Sequence, residues 1–221
     1  YCGKDHSDMQ AWVHVVPVAD GYRGIFKGQG EGTGIAYGDE IGKIIESIQN
    51  PIAGFITESL LSCGGQVIPP KNYFKTAFNH VRKAGGLCIA DEVQVGFGRV
   101  GSHFWAFELQ NVVPDIVVMG KPIGNGHPMS AVVTRKEIAK TFANGMEFFA
   151  TFGGNPVSCA IGMAVLSVIK EDGLQLHAKQ IGERLLEHLH DLKDKHEIIG
   201  DVRGAGLFIG IEFVKDRDTL E

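Results

Sequence analysis

Several things are scarce in this chain, and each scarcity excludes a class of function. Lys and Arg do not outnumber Asp and Glu, and the formal charge of −5 gives no basic stripe for nucleic acid. No apolar run reaches membrane-spanning length. The four cysteines (Cys2, Cys63, Cys88, Cys159) have no Cys-x-x-Cys spacing, and two sit in apolar surroundings. They read as small thiols in a reducing, cytosolic compartment rather than as disulfides or metal ligands. The nine histidines show no His-Glu-x-x-His pattern, so no metal site is expected. The Gly28–Gly34 stretch lacks a following Lys-Ser/Thr, so it is not a phosphate loop. No initiating methionine or signal peptide precedes Tyr1, and the chain stops straight after a strand-like run. A segment of a longer protein, incomplete at both ends, is expected.

What is present is a folded α/β pattern. Of 221 residues 44% are hydrophobic, enough for one large core or two smaller ones. The 30 glycines, about twice ordinary usage, gather after strand-like runs, where backbone turns sharply or approaches a ligand. Strands are expected at Trp12–Val18, Ile52–Thr57, Leu87 into Asp91, Asp115 into Lys121, Met129–Thr134, Ile198–Val202 and Leu207–Phe213. Helices are expected over Tyr37–Gln49, Lys71–Ala84, from near Lys136, Val157–Ile169 and Leu174–Lys195, with Gly28–Gly34 a loop. Alternation of the two as far as Ile169 argues for a mostly parallel sheet with helices on both faces. The change after it marks a boundary: residues 1–170 as part of a large domain, 171–221 as the start of a smaller α/β domain.

Two strands carry the chemistry. The run Leu87–Ala90 ends in Asp91-Glu92, and Ile116–Met119 ends in Gly120-Lys121. Ligands in open α/β sheets bind beyond the carboxyl ends of the strands, so an acid and an amine share that rim, with Glu58 delivered there by a third strand. Taken singly, a lysine after a glycine is usually solvated. An Asp-Glu strand end also occurs in nucleotide hydrolases, but these require the missing phosphate loop. Taken together, a lysine leaving a dry strand end can act as a nucleophile toward an aldehyde such as pyridoxal 5'-phosphate. A carboxylate beside the pyridine nitrogen (Asp91) would keep that ring protonated. Gln94 would donate to the phenolic oxygen, Val93 would wall a ring face, and Thr151, ahead of Gly153-Gly154 and a helix start, would contact phosphate.

The blocks IADEVQVGFGR (Ile89 to Arg99), PDIVVMGK (Pro114 to Lys121) and TFGGNP (Thr151 to Pro156) resemble, in order and spacing, the class III aminotransferases, pyridoxal-phosphate-dependent enzymes of fold type I. WVHVVPVADGYRG and GDVRGAGLFIGIEFV extend the likeness over nearly the whole chain. The resemblance implies that Lys121 forms the Schiff base with the cofactor and moves the proton. It pairs Asp91 with the pyridine nitrogen, Val93 with the ring face and Gln94 with the phenolic oxygen. It brings Thr151 to the phosphate from the other subunit of a homodimer, and sets Glu58 on the substrate side. The expected substrate is a small amine or amino acid undergoing amino transfer. Three further blocks, ESLLSCGGQVIPP, GRVGSHFWAF and GKPIGNGHP, are similar to those of phospho-lyases that expel phosphate from amino-alcohol phosphates, the alternative outcome. An inactive fragment serving only in assembly is the remaining alternative. The family's aromatic-His-Gly block has no assigned counterpart, since Tyr1-Cys2-Gly3 carries Cys for His.

Overall fold

The computed structural model describes residues 9–221, so Tyr1-Cys2-Gly3 lies outside the described residues. Helix α1 (Glu31–Ser47) leads to strand β1 (Gly54–Glu58), helix α2 (Tyr73–Lys83) and strand β2 (Leu87–Asp91). Strand β3 (Ile116–Met119), strand β4 (Ala131–Thr134) and helix α3 (Lys136–Phe142) follow. Helices α4 (Pro156–Glu171) and α5 (Leu174–Lys195) precede strands β5 (Ile199–Ala205) and β6 (Phe208–Phe213). The first four strands form one sheet in the order β1-β2-β3-β4, parallel through β3. β4 pairs antiparallel to β3, because the connection between them carries a 3-10 turn at Lys121–Ile123 and no crossover helix. The architecture is thus α/β with a mostly parallel sheet.

Helix α2 follows from its sequence: Phe74, Phe78 and Val81 recur at helical spacing and are buried with Tyr37 and Ile41 of α1 and Cys88 of β2. Burial of each such side chain contributes roughly 1.5–3 kcal/mol. α1 begins at Glu31, inside the stretch expected to be a loop. The reason is tertiary. Gly34, Gly38 and Gly42 lie on the face against α2, where an added Cβ would come within 1.9 Å of the Lys71 carbonyl oxygen, 2.5 Å of Thr76 and 2.7 Å of the His80 ring. Close helix approach outweighs the low helix propensity of glycine.

Trp12–Val18 forms no strand. No ladder partner meets it among the described residues, and Trp12, Val15 and Val18 face outward, so β-branched composition alone does not suffice. α4 starts where Asn155 accepts a hydrogen bond from Ser158 N–H and Pro156 opens the first turn. Its apolar surface is left uncovered, with only Gly162 buried. The β5-β6 hairpin packs on α5 and against the rim of the main sheet, where Phe208 shares a core cluster with Leu60, Val95, Val100 and Ala106.

Candidate active site

Lys121 emerges from β3 through Gly120 and adopts φ +27°, a left-handed backbone that non-glycine residues seldom take. A β-carbon at Gly120 would lie 3.3 Å from Val93 Cγ1, so the glycine lets the β3 exit pass close over Val93. The Lys121 ammonium donates to Gln94 Oε1 at 2.5 Å. That leaves the other end of the Gln94 amide, its NH2, as a donor beside the amine. The structure therefore joins Lys121 to Gln94 and sets Val93 against Gly120.

Asp91 closes β2 in register with Glu58 of β1 and Val118 of β3. Its Oδ1 accepts the Val93 N–H at 3.0 Å, fixing the turn that presents Val93 and Gln94. Glu58 has a different surrounding. Its carboxylate accepts both the Ser62 N–H and the Ser62 hydroxyl at 2.7 Å, holding the residue that opens the Ser62–Gln66 turn. Thr151 is exposed in the turn before α4. The loop after Lys121 meets the first turn of α4 at His127, whose Nε2 lies 2.8 Å from Ser158 Oγ.

A cavity of about 490 Å³ opens at this edge. Lys121, Gln94, Arg99, Gln66, Asn125 and the start of β6 are part of its lining; Asp91, Val93, Glu58 and Thr151 are not. Gln66 is held from behind. Arg203, wedged between Asp201 and Glu212 at 2.7 Å each, donates through Nε and Nη2 to the neighbouring Gly65 carbonyl. Burial pulls the Arg203 guanidinium downward, but the two carboxylates outweigh it and raise its pKa.

Sequence reasoning missed Glu92, which is 0% exposed. Its carboxylate accepts the Ser59 hydroxyl at 2.5 Å and the N–H groups of Ala106 and Phe107 at 2.9 and 3.0 Å, tying β1's end and the Ala106–Gln110 turn to β2. Burial pushes its pKa up, and the three donors pull it partly back. A signal was available: side chains alternate along a strand, so of two adjacent acids at its end one must turn inward. Arg99 and Gln66 were missed as well, because both reach the cavity from loops.

These blocks can be placed among known proteins. The family model for aminotransferase class-III matches residues 2–220. An alanine--glyoxylate aminotransferase 2-like protein of Drosophila melanogaster is 56% identical over 93% of this chain and 43% of its own length. Ethanolamine-phosphate phospho-lyase homolog 1 of Caenorhabditis elegans is 50% identical over 95% of this chain and 48% of its own. A Pseudomonas jessenii omega transaminase solved in complex with PMP superposes with a TM-score of 0.85 at 31% identity, covering 93% of this chain and 47% of that one. The chain thus spans just under half the length of these relatives. The match over nearly every residue means that the chain belongs to the class-III aminotransferase family.

Proposed function

We propose that the protein carrying this chain is a pyridoxal-5'-phosphate-dependent transaminase acting on a small amine or amino acid, with Lys121 as its catalytic base. The observation that carries this reading is the Lys121–Gln94 contact at the mouth of a cavity on the carboxyl edge of a mostly parallel sheet. The residues fit the cofactor: an exposed amine, an amide NH2 beside it, and a carboxylate at the end of the adjacent strand. When bound, pyridoxal phosphate supplies an aldehyde that condenses with amines and a ring that takes up an electron pair.

The chain's residues do the rest. Lys121 Nζ would hold the cofactor and, when free of it, would remove the proton from the carbon beside the substrate nitrogen. Asp91 holds a proton on the pyridine nitrogen through a charge-assisted bond. Val93 walls one face and Gln94 donates to the phenolic oxygen. Glu58, through its hold on Ser62, shapes the Ser62–Gln66 turn on the substrate side. Residues 1–170 act as part of the cofactor-binding domain and 171–221 as the start of the smaller one. Among the described residues the cysteines are free, which suits a reducing compartment such as the cytosol.

A second reading is favoured by one finding, the 50% identity to a phospho-lyase homolog. The same proton removal would then be followed by loss of phosphate from an amino-alcohol phosphate. An inactive assembly module is disfavoured, since it has no use for the Lys121–Gln94 geometry. The test is borohydride reduction of the cofactor-loaded protein from its complete reading frame. The label is expected on Lys121 by peptide mapping and absent in Lys121→Ala; a label on another lysine would sink the assignment.

We also infer a homodimer in which Thr151 reaches the cofactor phosphate of the other subunit. Support comes from the exposed apolar run Phe142, Met146, Phe148, Phe149, Phe152 and Val157, with Phe152 82% exposed, which continues into the uncovered face of α4. Mixing Lys121→Ala with Thr151→Ala protein under subunit exchange should restore cofactor affinity at one site per heterodimer. Demonstrated exchange without any such recovery rules the shared site out.

A further inference from the structure

The Ser62–Gln66 turn is poorly supported from within. Gly65 takes φ +112° and Gln66 φ +53°, two consecutive left-handed residues of which the second is not a glycine. Three donors, Gly65 N–H, Gln66 N–H and Gln66 Nε2, converge on the single Ser62 carbonyl at 3.3, 3.2 and 3.0 Å. A carbonyl oxygen has two lone pairs, so these bonds compete. A backbone of this kind persists only where its surroundings hold it.

The hold comes from a distant part of the chain. Arg203 of β5 donates through Nε and Nη2 to the Gly65 carbonyl at 3.0 and 2.7 Å, and through Nη1 and Nη2 to Asp201 and Glu212 at 2.7 Å each. Both acids are held in turn, Asp201 by Lys193 of α5 at 3.6 Å and Glu212 by Arg23, ahead of α1. Three cations and two carboxylates thus fix the plane of one guanidinium. β6 also meets the turn. Gly210 pairs with Arg203, and a β-carbon there would lie 2.9 Å from Gln66 Cβ and 3.2 Å from the Gly65 oxygen. The turn is therefore clamped twice, at Ser62 by Glu58 of β1 and at Gly65 by Arg203 of β5.

We propose that Arg203 is a positioning residue for the amine reaction: it locks the Ser62–Gln66 turn to the β5-β6 hairpin, and the hairpin thereby sets the substrate side of the site. This rests on the reading of Lys121 as the residue that meets the amine. Gln66 and the start of β6 line the cavity that holds Lys121, whereas Arg203 does not, so it acts through the turn and not by contact. Charge alone does not account for its place. A lysine could neutralise the same two acids, but a planar fork is what grips both acids and a carbonyl at once.

The test uses protein from the complete reading frame and separates grip from charge. Arg203→Lys keeps a cation between Asp201 and Glu212 and gives up the fork on Gly65. Hydrogen exchange of residues 61–67 should quicken by about fivefold or more, as expected for lost charge-assisted bonds, while residues 199–213 keep wild-type exchange. In the holoenzyme, KM for the amine should rise by a similar factor with kcat changed less. Asp201→Asn, which keeps every donor of Arg203 but loses one acid that orients it, should show the same pattern in weaker form. Turn and hairpin losing protection together in both variants assign Arg203 to hairpin stability alone and overturn the proposal. A loosened turn with KM unchanged overturns it as well, and so does weaker binding of pyridoxal phosphate to apoenzyme with KM unchanged, which moves the turn to the cofactor side. A wild-type holoenzyme that turns over no amine and takes no borohydride label on Lys121 fails the underlying functional reading first, and this inference with it.

Discussion

Two cavities of nearly equal volume lie at opposite ends of the same strands, about 490 Å³ at the carboxyl edge and about 510 Å³ at the amino edge. Each has two cations in its lining. At the amino edge these are Arg82 and Arg135, and both bind Asp115, at 3.3 and 3.0 Å. Asp115 is 6% exposed, accepts the Cys88 N–H at 2.9 Å as well, and so anchors β2 to the entry of β3. At the carboxyl edge Arg99 and Lys121 meet no acid in the lining. One carboxylate makes the difference. Where it is present the cations hold the fold; where it is absent they remain available to a ligand, and this is the edge at which α/β sheets bind ligands.

The largest effect comes from breaking the carboxyl edge at its amine. Lys121→Ala should reduce amine turnover by about 10³-fold or more, in the range of a lost general base that is also the attachment point. Steady-state assay of the holoenzyme measures it. The urea midpoint should barely move, since Lys121 is exposed and, among the described residues, its amine hydrogen-bonds to Gln94 alone. A variant that keeps near-normal turnover would erase the distinction between the two edges.

At the amino edge the damage should fall on stability instead. Asp115→Asn removes the charge facing both arginines and weakens the hold on Cys88 N–H, at a cost of about 2 kcal/mol, discounted because the arginines are half exposed. Urea unfolding should show the loss while KM for the amine stays put. The freed arginines should also begin to bind anions, so millimolar inorganic phosphate should raise the midpoint of the variant and leave that of the wild type unchanged. If phosphate stabilises both proteins equally, Asp115 does not neutralise that cavity.

The same contrast explains what could be read in advance. The rim residues were legible because a strand end followed by Asp or by Gly-Lys states its chemistry locally, and Lys121 and Gln94 do meet. Asp115 was visible only as the first residue of a strand, because its role depends on Arg82 and Arg135, which reach it from two other segments. The early start of α1 was illegible for a similar reason: glycines that look like a loop are a close-packing face once α2 is placed against them. The direction of β4 depended on how the loop after Lys121 returns, and Trp12–Val18 needed a neighbour that composition does not supply. Arg99 and Gln66 join the cavity only when β6 docks on the rim.

A buried acid next to the carboxyl edge sharpens the comparison, because Glu92, unlike Asp115, has no cation among its hydrogen-bond partners. Glu92→Gln should cost about 1–3 kcal/mol, since an amide NH2 would face a backbone N–H that now finds a carboxylate oxygen. The pH dependence has a definite sign. The folded pKa of Glu92 is raised, first by burial, so its contribution is fully present below the ordinary glutamate value and is lost as pH rises through the raised value. The advantage of wild type over Glu92→Gln should therefore be greatest in acid and shrink as pH climbs through that range. An advantage that grows with pH would mean that the donors, and not burial, dominate.

The smallest effect is a rate rather than a stability, and it reads the amino edge directly. Cys88 is fully buried in β2, its N–H is held by Asp115, and burial pushes its thiol up to about 12. At pH 8 only on the order of 10⁻⁴ of such a thiol is ionised, and the thiolate is the form that attacks a disulfide reagent. Cys63, exposed next to the Ser62 that Glu58 holds, provides the internal reference. Peptide mapping of reagent-treated wild type should find Cys63 modified at once and Cys88 modified only on the timescale of local opening. In Asp115→Asn the Cys63 rate should stay the same while the Cys88 rate rises several-fold, because β2 has lost the carboxylate that ties it to the entry of β3. Equal acceleration of both thiols would report loosening of the whole fold, and Asp115 would then not be a local anchor of the amino edge.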